Sequence, residues 1–263
     1  MSEALRVVIS GAGGRMGREV VNAVLAAGED FCLNGAADPA FAGSSISEVV
    51  GAECPIIIEK SLDAVLNTVA TDAVVVFSIP SAAMDDIRRA MRAKAVPVIG
   101  TTGITPENVE EILALAAEHG VGAIIAPNFA IGAVLMMKFA SEAAKHMPAV
   151  EIIELHHDKK LDAPSGTATK TAEMIAASAP DGITKPAGEN VQARGGEFHG
   201  VRIHSVRLPG LVAHQEVIFG GLGQTLTIRH DSYDRKSFMP GVLLALRKSR
   251  GLKEVIYGLE NIL

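Results

Sequence analysis

The first half of the chain alternates short β-branched runs with amphipathic stretches. Leu5-Arg6-Val7-Val8-Ile9-Ser10 is apolar, short and bounded by glycine, the pattern of a buried strand. Val20, Val21, Val24 and Leu25 then share one helical face, which predicts a helix over 14–27. Further strands are expected at 31–37, 56–58, 73–78, 96–100 and 122–126. Between most of them lie helices, including 84–95 and 106–119. The second of these has Thr105 to cap it and Pro106 pre-set for its first turn. Strand alternating with helix predicts right-handed crossovers and an α/β class: a parallel, Rossmann-type sheet with helices on both faces.

After Asn128 the pattern changes. A helical run at 131–146 leads to a strand at 150–155 that delivers His156-His157, and a helix follows at 166–178. A polar stretch rich in Gly and Pro occupies 179–200. Strands at 201–208, 212–219 and 224–230 then arrive with no helix between them, which predicts a central α+β domain on a mainly antiparallel or mixed sheet. The closing stretch, 236–263, reads as helical and is expected to return to the first domain. The expected domains are 1–127 completed by 236–263, and 128–235.

Composition narrows the function classes. Of 263 residues 48% are hydrophobic, which excludes a disordered chain. The net charge of −6 argues against a nucleic-acid partner, which would need a basic face. No apolar run reaches the roughly 18–20 residues of a membrane span, and residues 1–6 run into the first strand with no signal-peptide core. Two cysteines, Cys32 and Cys54, are too few for a disulfide scaffold, and both are expected reduced in a cytoplasmic core.

Gly11-Ala12-Gly13-Gly14-Arg15-Met16-Gly17 stands between the first strand and the first helix. Glycines let the backbone turn sharply beside a pyrophosphate, and the helix start offers N–H groups and a positive dipole end. The spacing is G-x-x-G-x-x-G rather than the plain fingerprint. Asp38 follows 21 residues after Gly17 at the end of the second strand, where a carboxylate receives a ribose diol; it is equally placed to serve the turn before Pro39. Together these residues predict a bound dinucleotide. Asp38 followed by Pro39 favours NADH by repelling a 2′-phosphate, while Arg15 and Arg18 stand close enough to leave NADPH possible.

The densest chemistry lies in His156-His157-Asp158-Lys159-Lys160-Leu161-Asp162-Ala163-Pro164-Ser165-Gly166-Thr167-Ala168. Backbone N–H groups of Gly166 and Thr167, the Ser165 and Thr167 hydroxyls and the Lys160 ammonium make an anion site at a helix start. A small carboxylate suits it, and the imidazoles can act as acid and hydrogen-bond donor. A metal is not expected, because strand neighbours point apart and no Cys/His set accompanies the pair. Gly100-Thr101-Thr102-Gly103 and Ala126-Pro127-Asn128-Phe129 end strands of the parallel sheet, where ligands of such sheets bind, and are expected to line the nicotinamide pocket.

These motifs, in this order and across essentially the whole chain, resemble the 4-hydroxy-tetrahydrodipicolinate reductase (dihydrodipicolinate reductase) family. The H-H…K-x-D-A-P-S-G-T-A segment is the most specific of them. The resemblance implies a central domain that binds substrate and assembles a homotetramer. It also implies reduction of the dicarboxylate 4-hydroxy-2,3,4,5-tetrahydrodipicolinate with NADH or NADPH and loss of water, in diaminopimelate and lysine biosynthesis. By position His156 resembles the proton donor, Lys160 a second donor, His157 a substrate contact, and Gly166 and Thr167 carboxylate binders, with Ser165 and Thr102 beside the substrate. Two departures weaken 2′-phosphate recognition: Pro39 and Ile79 stand where relatives place arginines. The alternatives are another Rossmann dehydrogenase acting on a small amino or keto acid, or a dinucleotide sensor without turnover.

Overall fold

The computed structural model describes residues 3–184 and 192–263, so part of the expected polar stretch at 179–200 lies outside the described residues. The chain divides into two compact units, Met1–Phe129 with Phe238–Leu263, and Ala130–Ser237.

In the first unit β1 (Leu5–Ser10) enters α1 (Arg15–Ala26), whose buried Gly17, Val20, Val21 and Val24 face the sheet. Next come β2 (Phe31–Ala37), α2 (Ile46–Val50), β3 (Ile58–Glu59), α3 (Leu62–Leu66), β4 (Ala73–Val76), α4 (Pro80–Arg92), β5 (Val96–Ile99), α5 (Pro106–His119) and β6 (Ala123–Ile125). The parallel strands order as β3-β2-β1-β4-β5-β6, the doubly wound arrangement, whose switch point lies between β1 and β4. Val7, Val8, Ile9, Val74, Val75, Val76, Val98 and Ile124 are fully buried, each contributing about 1.5–3 kcal/mol.

The second unit runs α6 (Ile131–Ala144), β7 (Ala149–His156), α7 (Gly166–Ser178), β8 (Gly196–Phe198), β9 (Val201–Arg207), β10 (Ala213–Gly221) and β11 (Gln224–Ser232). Its sheet is mixed, ordered β11-β10-β7-β9-β8. The three late strands do not form a simple meander. Strand β7 inserts between β9 and β10, pairing parallel with β9 and antiparallel with β10. The α7 crossover makes the parallel pairing possible, as any parallel neighbour requires a long connection.

Several local expectations are corrected. The closing stretch is not helical throughout: α8 (Met239–Lys248) ends before Gly251, and β12 (Val255–Tyr257) pairs parallel beside β6. Val255 and Ile256 suit a strand, and their pairing covers what would otherwise be a sheet edge. Helix α4 begins at Pro80, four residues before its apolar spacing becomes visible, because a proline at the first turn starts it over small residues. Strand β3 is shorter than expected and shifted to Ile58–Glu59, and the short elements α2, α3 and β8 escaped the pattern. Cys54 is buried, but Cys32 is exposed on the outward side of β2, since strand side chains alternate; both are free thiols.

Candidate active site

The glycine-rich turn sits at the carboxyl end of β1, beside the switch point. Gly11 has φ +80°, and a Cβ there would stand 2.6 Å from the Phe77 carbonyl oxygen. At Gly17 a Cβ would come within 2.0 Å of the Gly11 carbonyl oxygen, so α1 can approach the turn this closely only with glycine. Ala12 and Gly13 are buried, Met16 is half-buried, and Gly14 and Arg15 are exposed where α1 starts. That start has no side-chain cap and no acid in its first turn. A helix beginning this way presents N–H groups and a positive dipole end to an external anion.

Around this rim stand the ends of the neighbouring strands. Asp38 Oδ2 accepts the Gly13 N–H at 3.0 Å and Oδ1 accepts the Ala40 N–H at 3.0 Å, so this carboxylate serves the turn before Ala40 and also fastens the glycine-rich turn. Arg18 is engaged within the protein: its guanidinium donates to the carbonyls of Gly13 and Val49 and lies 5.2 Å from the Phe41 ring centroid. The Thr101 hydroxyl donates to the Ser78 carbonyl at 2.9 Å, stitching the ends of β4 and β5, while Thr102 is exposed. Gly100 accommodates Phe77, whose ring would meet a Cβ at 2.3 Å, and Phe77 in turn pairs with the buried Phe129 at 5.9 Å. Ala126 is buried, Asn128 half-buried and Pro127 exposed. Ser78 Oγ is buried with no hydrogen-bond partner among the described residues. An orphaned hydroxyl, an uncapped helix start and a carboxylate at the end of β2 fit a polyhydroxylated, pyrophosphate-bearing ligand.

A second cleft, of about 320 Å³, opens at the opposite, amino-terminal rim of this sheet. Its cations are already engaged: Arg6 on Asp72, Lys94 on the His119 carbonyl, Lys253 on the Gly120 carbonyl, and Arg250 on the carbonyls of Glu3 and Asp30.

In the second unit β7 delivers His156 at its last position. The buried face of β7 comprises Val150, Ile152 and Glu154, with His156 half-buried next in line. Glu154 is fully buried. Its Oε2 lies 2.5 Å from His156 Nδ1 and 2.9 Å from Arg207 Nη1, and its Oε1 lies 2.7 Å from Arg207 Nη2. Burial alone would raise this carboxyl, but hydrogen bonds from His156, Arg207 and Ser205 outweigh it and hold Glu154 at about 2. Parallel pairing accounts for the cluster, because the β7–β9 register sets His156 beside Arg207 and Glu154 beside Ser205.

The loop after β7 turns back at once, Lys160 N–H donating to the His157 carbonyl at 3.1 Å. His157 is exposed. Lys160 Nζ lies 2.8 Å from both oxygens of Asp162, and this contact lowers the Asp162 carboxyl. Ser165 is buried and caps α7: its Oγ accepts the Ala168 N–H at 3.2 Å, and its own N–H donates to Glu154 Oε1 at 3.3 Å. Gly166 is exposed, with open space where a Cβ would lie, and Thr167 is half-buried. The first turn of α7 contains no acid. The structure thus brings His156, Lys160, Ser165, Gly166 and Thr167 into one stretch around the start of α7: an imidazole, an ammonium group and a helix N-terminus suited to a carboxylate.

Glu154 and Arg207 were not among the expected site residues. A signal was present: strand alternation places both on the inward side of β7 and β9, where a charged side chain needs a partner. Among the described residues no three His, Cys, Asp or Glu side chains gather to hold a metal ion, and no helix is long and apolar enough to cross a membrane.

Comparison with known proteins shows the family. Residues 5–129 match the family model "Dihydrodipicolinate reductase, N-terminus", and residues 132–263 match "Dihydrodipicolinate reductase, C-terminus". The chain is 51% identical to the 4-hydroxy-tetrahydrodipicolinate reductase of Syntrophomonas wolfei over all of both chains. It is 52% identical to that of Listeria innocua, over 98% of this chain and 100% of the relative. Among solved structures, dipicolinate-bound dihydrodipicolinate reductase from Paenisporosarcina sp. TG-14 superposes with a TM-score of 0.85 at 44% identity, covering 99% of this chain and 100% of that one. Amine dehydrogenase from Mycobacterium smegmatis shares the fold alone, with a TM-score of 0.67 at 13% identity, over 93% of this chain and 92% of that one. With both halves of the chain matched and full-length relatives at about half identity, the protein belongs to the dihydrodipicolinate reductase family.

Proposed function

We propose that the protein reduces 4-hydroxy-2,3,4,5-tetrahydrodipicolinate to 2,3,4,5-tetrahydrodipicolinate with a reduced nicotinamide dinucleotide and loss of water, in diaminopimelate and lysine biosynthesis. The observation that carries the reading is the acid at the anion pocket: His156, held by Glu154, in the same short stretch as Lys160 and the start of α7. A dianionic substrate is complementary to that cationic stretch, one carboxylate on the first-turn N–H groups of Gly166 and Thr167, the other served by Lys160 and His157. Loss of the 4-hydroxyl with a neighbouring ring hydrogen, as water, leaves a conjugated imine. A dihydronicotinamide held by the glycine-rich turn would supply the hydride for this system, and the displaced electron pair would fall on the adjacent ring carbon. His156 gives that carbon the proton from Nε2, the N–H bond breaking and its electron pair remaining on nitrogen. Lys160 is the second proton donor: its ammonium group protonates the departing 4-hydroxyl, the amine left behind takes up the neighbouring ring proton, and its restored positive charge opposes the charge that builds on the ring.

For the dinucleotide, the supporting residues are the turn Gly11–Gly17, Asp38, Gly100–Thr102 and Ala126–Phe129. NADH is favoured. Asp38 repels a 2′-phosphate, Pro39 and Ile79 offer it no charge, and Arg18 is engaged elsewhere. The same reading includes a homotetramer, supported by the exposed Leu222, Leu226 and Tyr233 of the central unit, and a cytoplasmic setting, which suits two free thiols.

The deciding experiment is NADH oxidation in the presence of substrate made freshly from aspartate semialdehyde and pyruvate. Turnover is expected; its absence with both NADH and NADPH would sink the reading.

A further inference from the structure

We infer that Glu154 and Arg207 are positioning residues, an ion pair of a buried carboxylate and a half-buried guanidinium that determines which ring nitrogen of His156 releases its proton and ties Lys160 and the start of α7 to the same point. This deepens the reductase reading and rests on it.

Glu154 accepts His156 Nδ1 and Arg207 Nη1 on Oε2 and Arg207 Nη2 and the Ser165 N–H on Oε1, and the Ser205 side chain adds a further hydrogen bond. An ionised carboxylate can only accept, so the 2.5 Å contact requires a proton on His156 Nδ1. The proton that comes and goes is therefore the one on Nε2, the nitrogen turned away from the pair. A free imidazole has no such constraint.

Arg207 supplies the second branch. Its Nη2 also donates to the Asp162 carbonyl at 2.8 Å, and the Asp162 carboxylate holds Lys160 Nζ. Ser165 supplies the third, since the residue that caps α7 donates its own N–H to Glu154. One ion pair thus holds the imidazole, the ammonium group and the carboxylate pocket in register.

The remaining charges around His156 are accounted for. Its partner on β10 is Ala213, the first turn of α7 carries no acid, and the Lys160–Asp162 pair lies one hydrogen bond beyond Arg207. Because Arg207 neutralises Glu154, the pair contributes orientation more than net charge. Its geometry favours that role over stability. Arg207 Nε is buried without a hydrogen-bond partner among the described residues, so the guanidinium sits where the fork to Glu154 and Asp162 requires. Buried ion pairs contribute little net stability compared with apolar packing.

The test is ¹⁵N NMR of the His156 ring in the ligand-free protein above its titration range, with kinetics on the same samples. Wild type is expected to show the Nδ1–H tautomer; an Nε2–H ring there overturns the inference without any variant. In E154Q, and in the double variant E154Q/R207M that removes both charges and so protects folding, the Nε2–H tautomer should gain. In both, kcat should fall by about 10- to 100-fold, as expected for a misplaced acid, with KM for NADH changed less than about two-fold. An unchanged tautomer or an unchanged kcat in a folded variant overturns it. Failure of wild type to turn over, with the Nδ1–H tautomer in place, sinks the reaction assignment instead.

Discussion

Asp38 at the end of β2 holds the N–H of Gly13 at 3.0 Å, so the carboxylate proposed for the ribose also fastens the glycine-rich turn. Removing it should therefore act on cofactor binding in two ways. For Asp38→Ala we expect KM for NADH to rise about 10-fold or more, as a charged hydrogen bond is lost, with a smaller fall in kcat. Steady-state kinetics with NADH varied would check this; an unchanged KM would remove Asp38 from the cofactor site.

Arg18 makes a contrasting case. With its guanidinium on two backbone carbonyls and the Phe41 ring, Arg18→Ala should lower stability by about 1–3 kcal/mol. It should leave the ratio of kcat/KM for NADH and NADPH unchanged. Urea unfolding and paired kinetics measure the two effects separately. A selective loss of NADPH activity would contradict the structural role.

Charge can be restored where it is missing. Ile79 is 68% exposed before the first turn of α4, and Pro39 follows Asp38 directly. The double variant Pro39→Arg, Ile79→Arg should improve NADPH relative to NADH by about 10-fold through charge-assisted contacts with the 2′-phosphate. The ratio of the two kcat/KM values is the readout.

Lys160 is paired with an exposed acid, so its removal leaves no buried charge behind. Lys160→Ala should therefore fold as wild type but lose about 10²- to 10⁴-fold in kcat, the range of acid–base catalysis. An unchanged kcat would refute its assignment as a proton donor.

Acid should weaken the central unit through Glu154. Its carboxyl is held at about 2 against an ordinary 4.5, so the folded state prefers the ionised form. That preference, roughly 3 kcal/mol, is fully present above pH 4.5 and is lost as the pH falls towards 2. Urea midpoints measured from pH 6 down to pH 2 should decline in that window for wild type. They should decline less for E154Q.

Much of this architecture was legible along the chain. The 2.0 and 3.6 periodicities placed β2, α5 and α7 with their observed bounds, because each is bounded by strong local signals such as Pro106 and Ser165. Short elements were not legible: α2 and α3 have five residues each, too few for a helical period to show. The final strand was hidden in a similar way. Val255, Ile256 and Tyr257 favour a strand, but three residues are too few for a period to show, and the unpaired side of β6 decides it.

The sequence by itself determined the dinucleotide-type sheet, the glycine turn and the segment from His156 to Thr167, since these are contiguous and their chemistry follows from neighbouring residues. The tertiary structure decided the partners. Arg207 lies 53 residues from Glu154 and meets it because β9 pairs parallel with β7, while Arg18 is turned from a cofactor candidate into a brace by Val49 and Phe41. A side chain's role depends on which donors and acceptors surround it, and those are brought together by strand order and register, which no local pattern encodes.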